Sequence, residues 1–204
     1  LGLANSLSSL VVVLLAPLLG AISDQGGTRR KFLFGFAFLG ILATGCLYLV
    51  AEGAWVLAVF VYALAAVGFS GANTFYDSLM VAVADREHSD FVSALGYSLG
   101  YLGGGLLFAL NVTMVLYPQS FGLADASHAV RICFLMVAIW WAVFSIPLWL
   151  WVEESIPANP PKSWRAISGG YHQLIETFRE IRRLRTTLIF LIGYWLYIDG
   201  VDTI

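Results

Sequence analysis

The stretch GAISDQGGTRRK, from Gly20 to Lys31, decides the fold. It lies between two uncharged and largely apolar runs, residues 1–23 and 32–51. Each run is long enough to cross a bilayer as a helix, which takes about 20 apolar residues. The stretch therefore predicts a hairpin of two membrane-spanning helices. Its tip carries one carboxylate, two adjacent glycines and three clustered cations.

The composition of the whole chain supports a membrane protein. Of its 204 residues, 59% are hydrophobic and 12% are charged, whereas a soluble domain has roughly 25% charged residues. The apolar residues fall into blocks of bilayer length. We therefore expect an all-α polytopic membrane protein with five complete transmembrane helices and the start of a sixth. The predicted spans are 3–22, 32–51, 55–79, 92–116, 130–152 and 187 onward.

The distribution of Lys and Arg predicts the orientation. Ten of the eleven cations lie in the alternating loops 23–31, 80–91 and 153–186, and only Arg131 lies on the other side. Because cations accumulate on the cytoplasmic side, these three loops are expected to be cytoplasmic and residue 1 to lie outside. The chain is then expected to begin and end within a longer protein. We divide it into most of an N-terminal bundle (1–152), a cytoplasmic linker with an amphipathic basic helix (153–186) and the first helix of a second bundle (187–204).

Polar residues within the spans are candidates for a solute or proton path, because they are costly in lipid. Asp199 lies about 12 residues into the last span, or roughly 18 Å, near the midplane. Asp77 and Asn73 lie one turn apart in the third predicted span. Asn5 is in the first span, and Tyr97 and Tyr101 share a face of the fourth. Each of these side chains could instead make a structural interhelical hydrogen bond.

Gly96, Gly100 and Gly104 recur every four residues in the fourth predicted span. This spacing predicts a smooth helix face on which another helix packs closely. No metal site or other cofactor is expected, since His88, His128 and His172 lie in separate loops and Cys46 and Cys133 lie in separate spans. The sequence shows no nucleophile–base arrangement, phosphate loop or nucleic-acid surface.

The tip of the first hairpin resembles the loop motif of the major facilitator superfamily. The matching residues are Gly20, Asp24, Gly27, Arg29, Arg30 and Lys31. In that superfamily the motif joins the second and third spans, and its charges hold the cytoplasmic side closed. The resemblance implies the same gating role here, whereas the positive-inside rule alone would make the cations simple anchors.

Two further stretches resemble the branch that contains the autophagy-related vacuolar amino-acid effluxer of fungi and its bacterial relatives. One is FYDSLMVAVADREHSDFVSALGYSLGYLGGGLLF, starting at Phe75, and the other is YWLYIDGVDTI, ending at Ile204. The resemblance covers about the second to the seventh of twelve spans. It implies a location in the bacterial inner membrane, or in the vacuolar membrane of a eukaryote.

The implied function is secondary active transport of a small solute by alternating access. Amino-acid efflux is the leading expectation, with protons as the candidate coupling ion and the lipid bilayer as the surroundings. Three alternatives remain open: a transporter of drugs, sugars or lysophospholipids; a non-transporting membrane receptor or scaffold; and an intramembrane enzyme. An enzyme would require paired catalytic groups at one depth, and we find only carboxylates with no His or metal partner.

Overall fold

Long α-helices joined by short connections dominate the computed structural model, which describes residues 2–83, 87–154, most positions between 168 and 180, and 184–202. The helices are α1 (Gly2–Gly26), α2 (Arg29–Cys46), α3 (Trp55–Val83), α4 (Ser89–Leu116), α5 (Ala126–Trp151) and α6 (Arg185–Asp202). Short 3-10 turns follow α2 at Leu47–Leu49 and α4 at Pro118–Phe121. No strand occurs among the described residues, and the prediction of an all-α protein is confirmed.

Four helical segments are long and apolar enough to cross a membrane. They are Arg29–Leu49, Trp55–Leu79, Ser89–Leu116 and Ala126–Trp151. The predicted first span lies in α1, where the apolar part is Leu10–Ser23. Large apolar side chains such as Phe108, Phe144 and Leu150 are exposed. Exposed apolar surface on this scale suits contact with lipid rather than with water.

Helix α3 is the centre of the packing. It packs most extensively against α2 and also against α1, while α5 contacts α2 and α4. Phe75 of α3 is only 2% exposed. Its ring stacks on Phe32 and Phe36 of α2, with ring centroids 5.3 Å and 6.0 Å apart. Leu33 and Ala37 complete the α2 side of this core.

Glycines in α2 and α3 allow the backbones of these two helices to approach closely. A Cβ atom on Gly68 of α3 would lie 2.5 Å from the Gly40 Cα and 2.9 Å from the Phe36 carbonyl oxygen. The Trp141 ring of α5 also packs against Gly40. Three helices therefore meet at a point that leaves no room for side chains on these two glycines.

A single arginine fixes α5 to the turn after α2, at the end of the bundle opposite the first hairpin tip. The Arg131 Nε donates to the Tyr48 carbonyl oxygen at 2.8 Å, and its guanidinium lies 5.3 Å from the centroid of the Tyr48 ring. The Asp125 side chain caps α5 by accepting from the His128 backbone N–H at 2.8 Å. This cluster explains the presence of a cation on the side that is otherwise poor in them.

We predict that Arg131→Met lowers the melting temperature of the purified protein. The variant loses a charge-assisted hydrogen bond and a cation–π contact, each about 1 kcal/mol at a partly exposed site. Arg131→Lys keeps the charge but not the Nε donor, and should fall between Arg131→Met and the wild type. Melting followed by size-exclusion chromatography measures this, and an unchanged melting temperature for Arg131→Met would refute the role.

Two connections are shorter than the predicted loops, whereas the predicted span 32–51 ends early, with α2 ending at Cys46 and a 3-10 turn at Leu47–Leu49. The predicted loop 23–31 is almost entirely helical, with only Gly27 and Thr28 between α1 and α2. Likewise, α3 extends to Val83 and α4 begins at Ser89. Within the predicted linker 153–186, the described positions between 168 and 180 are helical, while 155–167 and 181–183 lie outside the described residues. The amphipathic helix of the linker and the domain bounds 1–152, 153–186 and 187–204 remain predictions.

Candidate functional site

The turn between α1 and α2 is built around Gly27. Its φ of 57° lies in the left-handed region, which glycine adopts without a steric penalty. The Thr28 backbone N–H donates back to the Ser23 carbonyl oxygen at 3.1 Å, which is the Schellman pattern that ends a helix. Ser23 is fully buried, and its hydroxyl donates to the Gly20 carbonyl oxygen at 2.8 Å. The glycine of the motif therefore allows α1 to stop and α2 to begin within two residues.

The N-terminus of α2 is capped by a carboxylate from the far end of α5. The Arg29 backbone N–H donates to Glu154 Oε1 at 2.8 Å, and the Arg30 backbone N–H donates to Glu154 Oε2 at 3.0 Å. The side chain of Thr28, at the N-cap position, makes no capping hydrogen bond. Glu154 thus replaces the local cap, and its negative charge lies at the positive end of the helix dipole.

The side chains of the same two arginines hold the ends of α3 and α5. The Arg29 Nη1 donates to the Ser78 carbonyl oxygen at 3.5 Å. The Arg30 Nη2 donates to the Trp149 carbonyl oxygen, and its guanidinium lies 5.2 Å from the centroid of the Phe34 ring. Trp149 lies in the last turn of α5, where a cation complements the helix dipole. We call Arg29, Arg30, Ser78, Trp149 and Glu154 the clamp, because together they tie the start of α2 to the ends of α3 and α5.

The predicted motif residues contribute to this arrangement in different ways. Arg29 and Arg30 form the clamp, Gly27 makes the turn, and Lys31 is exposed. Gly20 and Asp24 lie in α1, and the side chain of Asp24 lies outside the described residues. The sequence interpretation missed Glu154. Its only signal is its position as one of two carboxylates directly after the apolar run 130–152.

A cavity of about 670 Å³ lies between α3, α4 and the last turn of α5. Its lining combines apolar, aromatic and polar side chains. Four of the predicted path residues, Asn73, Asp77, Tyr97 and Tyr101, line this single cavity. The fold thus brings the polar residues of α3 and the tyrosines of α4 to one place.

Gly96 and Gly100 also line the cavity instead of packing against a helix in the described part of the chain. A Cβ atom on Gly96 would lie 3.9 Å from the Tyr76 hydroxyl oxygen, so the Tyr76 side chain reaches from α3 across to α4. For Gly100 and Gly104, no atom of the described residues lies within 4 Å of the Cβ position. The predicted packing face of Gly96, Gly100 and Gly104 therefore stays a prediction.

Two predicted path residues cannot be related to the cavity. Asn5 lies in α1 and Asp199 in α6, and both side chains lie outside the described residues. Their roles in a solute or proton path remain predictions.

Comparison with known proteins identifies the family. A family model described as "Vacuole effluxer Atg22 like" matches residues 2–204. An "Uncharacterized MFS-type transporter YxiO" of Bacillus subtilis is 33% identical over 205 residues, which cover 100% of this chain and 47% of the relative. The "Autophagy-related protein 22" of Yarrowia lipolytica is 27% identical over 132 residues, covering 55% of this chain and 22% of the relative.

A second fungal relative covers more of the chain. The "Autophagy-related protein 22" of Pichia angusta is 21% identical over 242 residues, covering 98% of this chain and 43% of that protein. The chain thus spans less than half the length of these relatives. No solved structure matches it significantly. With a family match over nearly its whole length and four apolar helices of membrane-spanning length, this chain belongs to the family of proteins like the vacuole effluxer Atg22 and is a multi-pass integral membrane protein.

Proposed function

We propose that the protein is a secondary active transporter that moves a small solute across a membrane by alternating access. The cavity between α3, α4 and α5 is the observation that carries this proposal. Its volume of about 670 Å³ falls within the roughly 300–1,000 Å³ of small-molecule sites. Its polar side chains lie on helices that are otherwise apolar and of membrane-spanning length. Because polar groups inside a membrane are costly, a cavity that collects several of them is best explained by a bound polar solute.

The clamp supplies a means of closing one side of the path. It joins three helix ends through a carboxylate, two guanidinium groups and backbone carbonyl oxygens. These contacts are hydrogen bonds between different helices, so they break when the helices move apart. The Arg30 Nε is buried without a hydrogen-bond partner among the described residues. We propose that α2 is released from α3 and α5 when the path opens on the clamp side. The positive-inside rule supports placing this side in the cytoplasm, with residue 1 outside.

We propose amino acids as the solute and efflux as the direction. The family description names an effluxer, and the cavity offers groups for both ends of a zwitterion. Asp77 is suited to an ammonium group, whereas Ser93, Asn73 and the tyrosine hydroxyls are suited to a carboxylate. Protons are the proposed coupling ion, with Asp77 and Asp199 as the candidate proton carriers.

We predict that proteoliposomes containing the protein, expressed from its complete coding sequence, release amino acids faster than empty liposomes. The vesicles are loaded with a mixture of radiolabelled amino acids, and efflux is measured with and without a pH gradient. Asp77→Asn should abolish most of the flux, since it removes the carboxylate and keeps the shape. Absence of amino-acid flux under both conditions would contradict the proposed solute, and the same assay would then be repeated with drugs, sugars and lysophospholipids.

A further inference from the structure

The residues that line the α3–α4–α5 cavity indicate which chemical group its ligand carries. This inference rests on the proposed transport function. We propose that the cavity recognises an organic ammonium group, held by the Asp77 carboxylate and surrounded by the rings of Tyr76, Tyr97 and Tyr101. The ligand's ammonium group, rather than its carboxylate, is then the feature required for binding. This goes beyond transport of a small solute, because it names the charge that every ligand of the site must carry.

The charge of the cavity is the first argument. Asp77 is its single charged lining residue among those described, and no cation of the described chain pairs with it. The Asp77 side chain is exposed in the cavity, so its carboxylate is accessible to a positive ligand and attracts it. An anionic ligand without an amine would meet only repulsion from Asp77. The electrostatics therefore select a cationic or zwitterionic ligand whose positive group is near α3.

The arrangement of tyrosines is the second argument. Tyr97 and Tyr101 are one turn apart on α4, and the Tyr76 hydroxyl of α3 lies 3.9 Å from the Cβ position of Gly96 on α4. The three rings are 50–79% exposed, so their faces are available to a ligand. Asp77 of α3 and Tyr97 of α4 line the same cavity. Aromatic rings that line the same cavity as a carboxylate can add cation–π contacts to an ammonium group that the carboxylate attracts.

The ammonium group could belong to either of two kinds of ligand. One is a free amine, including the amino group of an amino acid. The other is the choline headgroup of a lipid, since the cavity is lined partly by the apolar residues Phe69, Leu79 and Leu148. Both present an ammonium group to Asp77 and the tyrosines, and they differ in the presence of an acyl chain.

Two ligands of the same shape, one charged and one neutral, show how much the charge of the ligand contributes to binding. Choline and 3,3-dimethyl-1-butanol have nearly the same shape, but only choline is charged. We expect choline to bind the purified complete protein at least ~10-fold more tightly than the alcohol, measured by calorimetry or by the shift in melting temperature. Equal binding of the two would overturn the proposal. This comparison uses the unmodified protein, so it does not depend on a variant that folds.

Variants test the named residues. Asp77→Asn should remove the preference for choline, whereas Asp90→Asn, an exposed carboxylate in the first turn of α4, should retain it. Tyr101→Leu should weaken choline binding about 3- to 10-fold and Tyr101→Phe should not, because the aromatic face carries the contact. A choline preference that persists in a folded Asp77→Asn variant would overturn the assignment.

Competition separates the two kinds of ligand and also separates this proposal from the transport proposal. Lysophosphatidylcholine that displaces choline far better than lysophosphatidylglycerol indicates a lipid headgroup. Leucinamide that competes while 4-methylpentanoic acid does not indicates a free amine. Either result supports ammonium recognition, and no selectivity in either pair contradicts it. Ammonium-selective binding without amino-acid flux would contradict only the proposed solute, whereas flux without ammonium selectivity would contradict only this inference.

Discussion

Replacing Glu154 by glutamine is expected to reduce solute flux at least ~10-fold, which corresponds to about 1.4 kcal/mol. The carboxylate accepts from two backbone N–H groups at the start of α2. A glutamine amide has one oxygen and would turn its NH₂ group toward one of these donors, so one hydrogen bond is lost along with the negative charge. Because the site is partly buried, the lost contact also leaves a backbone donor unsatisfied.

The neighbouring carboxylate provides a matched control. Glu153 is exposed and adjacent to Glu154, so Glu153→Gln makes the same change in charge without touching α2. Flux and melting temperature are measured for both variants in the same proteoliposome and detergent preparations. If Glu154→Gln behaves like Glu153→Gln in both assays, the clamp has no role in transport or in stability.

The second large effect that we expect is the loss of stability caused by replacing Gly68 with alanine. The added methyl group would meet the backbone of Gly40 at 2.5 Å and the Phe36 carbonyl oxygen at 2.9 Å. Backbone atoms cannot rotate away as a side chain does, so α2 and α3 must separate and disturb the core around Phe75. Overpacking of this kind costs about 1–3 kcal/mol or more. We therefore expect a clearly lower melting temperature and a smaller yield of monodisperse protein.

Gly104→Ala is the control for this substitution. It adds the same methyl group in α4, where no atom of the described chain lies within 4 Å of the Cβ position. Alanine also has a higher helix propensity than glycine, so Gly104→Ala should not lower the melting temperature. The two variants are compared by thermal melting in the same detergent. Equal melting temperatures would mean that the contact between Gly40 and Gly68 is not as close as the structure places it.

The helices could be predicted from the sequence because the bilayer fixes their length. The apolar run 55–79 lies within α3 and the run 92–116 lies within α4. The start of α2 was predicted less well. Arg29 and Arg30 fall in the predicted loop 23–31, because charged residues usually mark the end of a span. They are helical, with Glu154 supplying the cap from 125 residues away, and local sequence carries no signal of such a distant partner.

The candidate site was predictable only along single helices. The spacing of Asn73 and Asp77, and that of Tyr97 and Tyr101, places each pair on one helix face. That these two faces line a common cavity depends on how α3, α4 and α5 pack, which periodicity does not determine. The same reason explains why the spacing of the α4 glycines predicts a packing face, while the structure shows a close backbone contact between Gly40 and Gly68.

The central claim is that the solute path passes between α3 and α4. It is tested most directly by asking whether the solute slows maleimide labelling of a cysteine placed in the cavity. Ser93 lines the cavity, and Ser93→Cys is made in the complete protein with its other cysteines replaced except Cys46. Cys46 is exposed at the far end of α2 and reports general reactivity. Labelling of both cysteines by a permeant maleimide is followed with and without the transported amino acid. We predict that the amino acid slows labelling at position 93 several-fold and leaves Cys46 unaffected. Equal labelling at position 93, in a variant that still transports, would contradict the account.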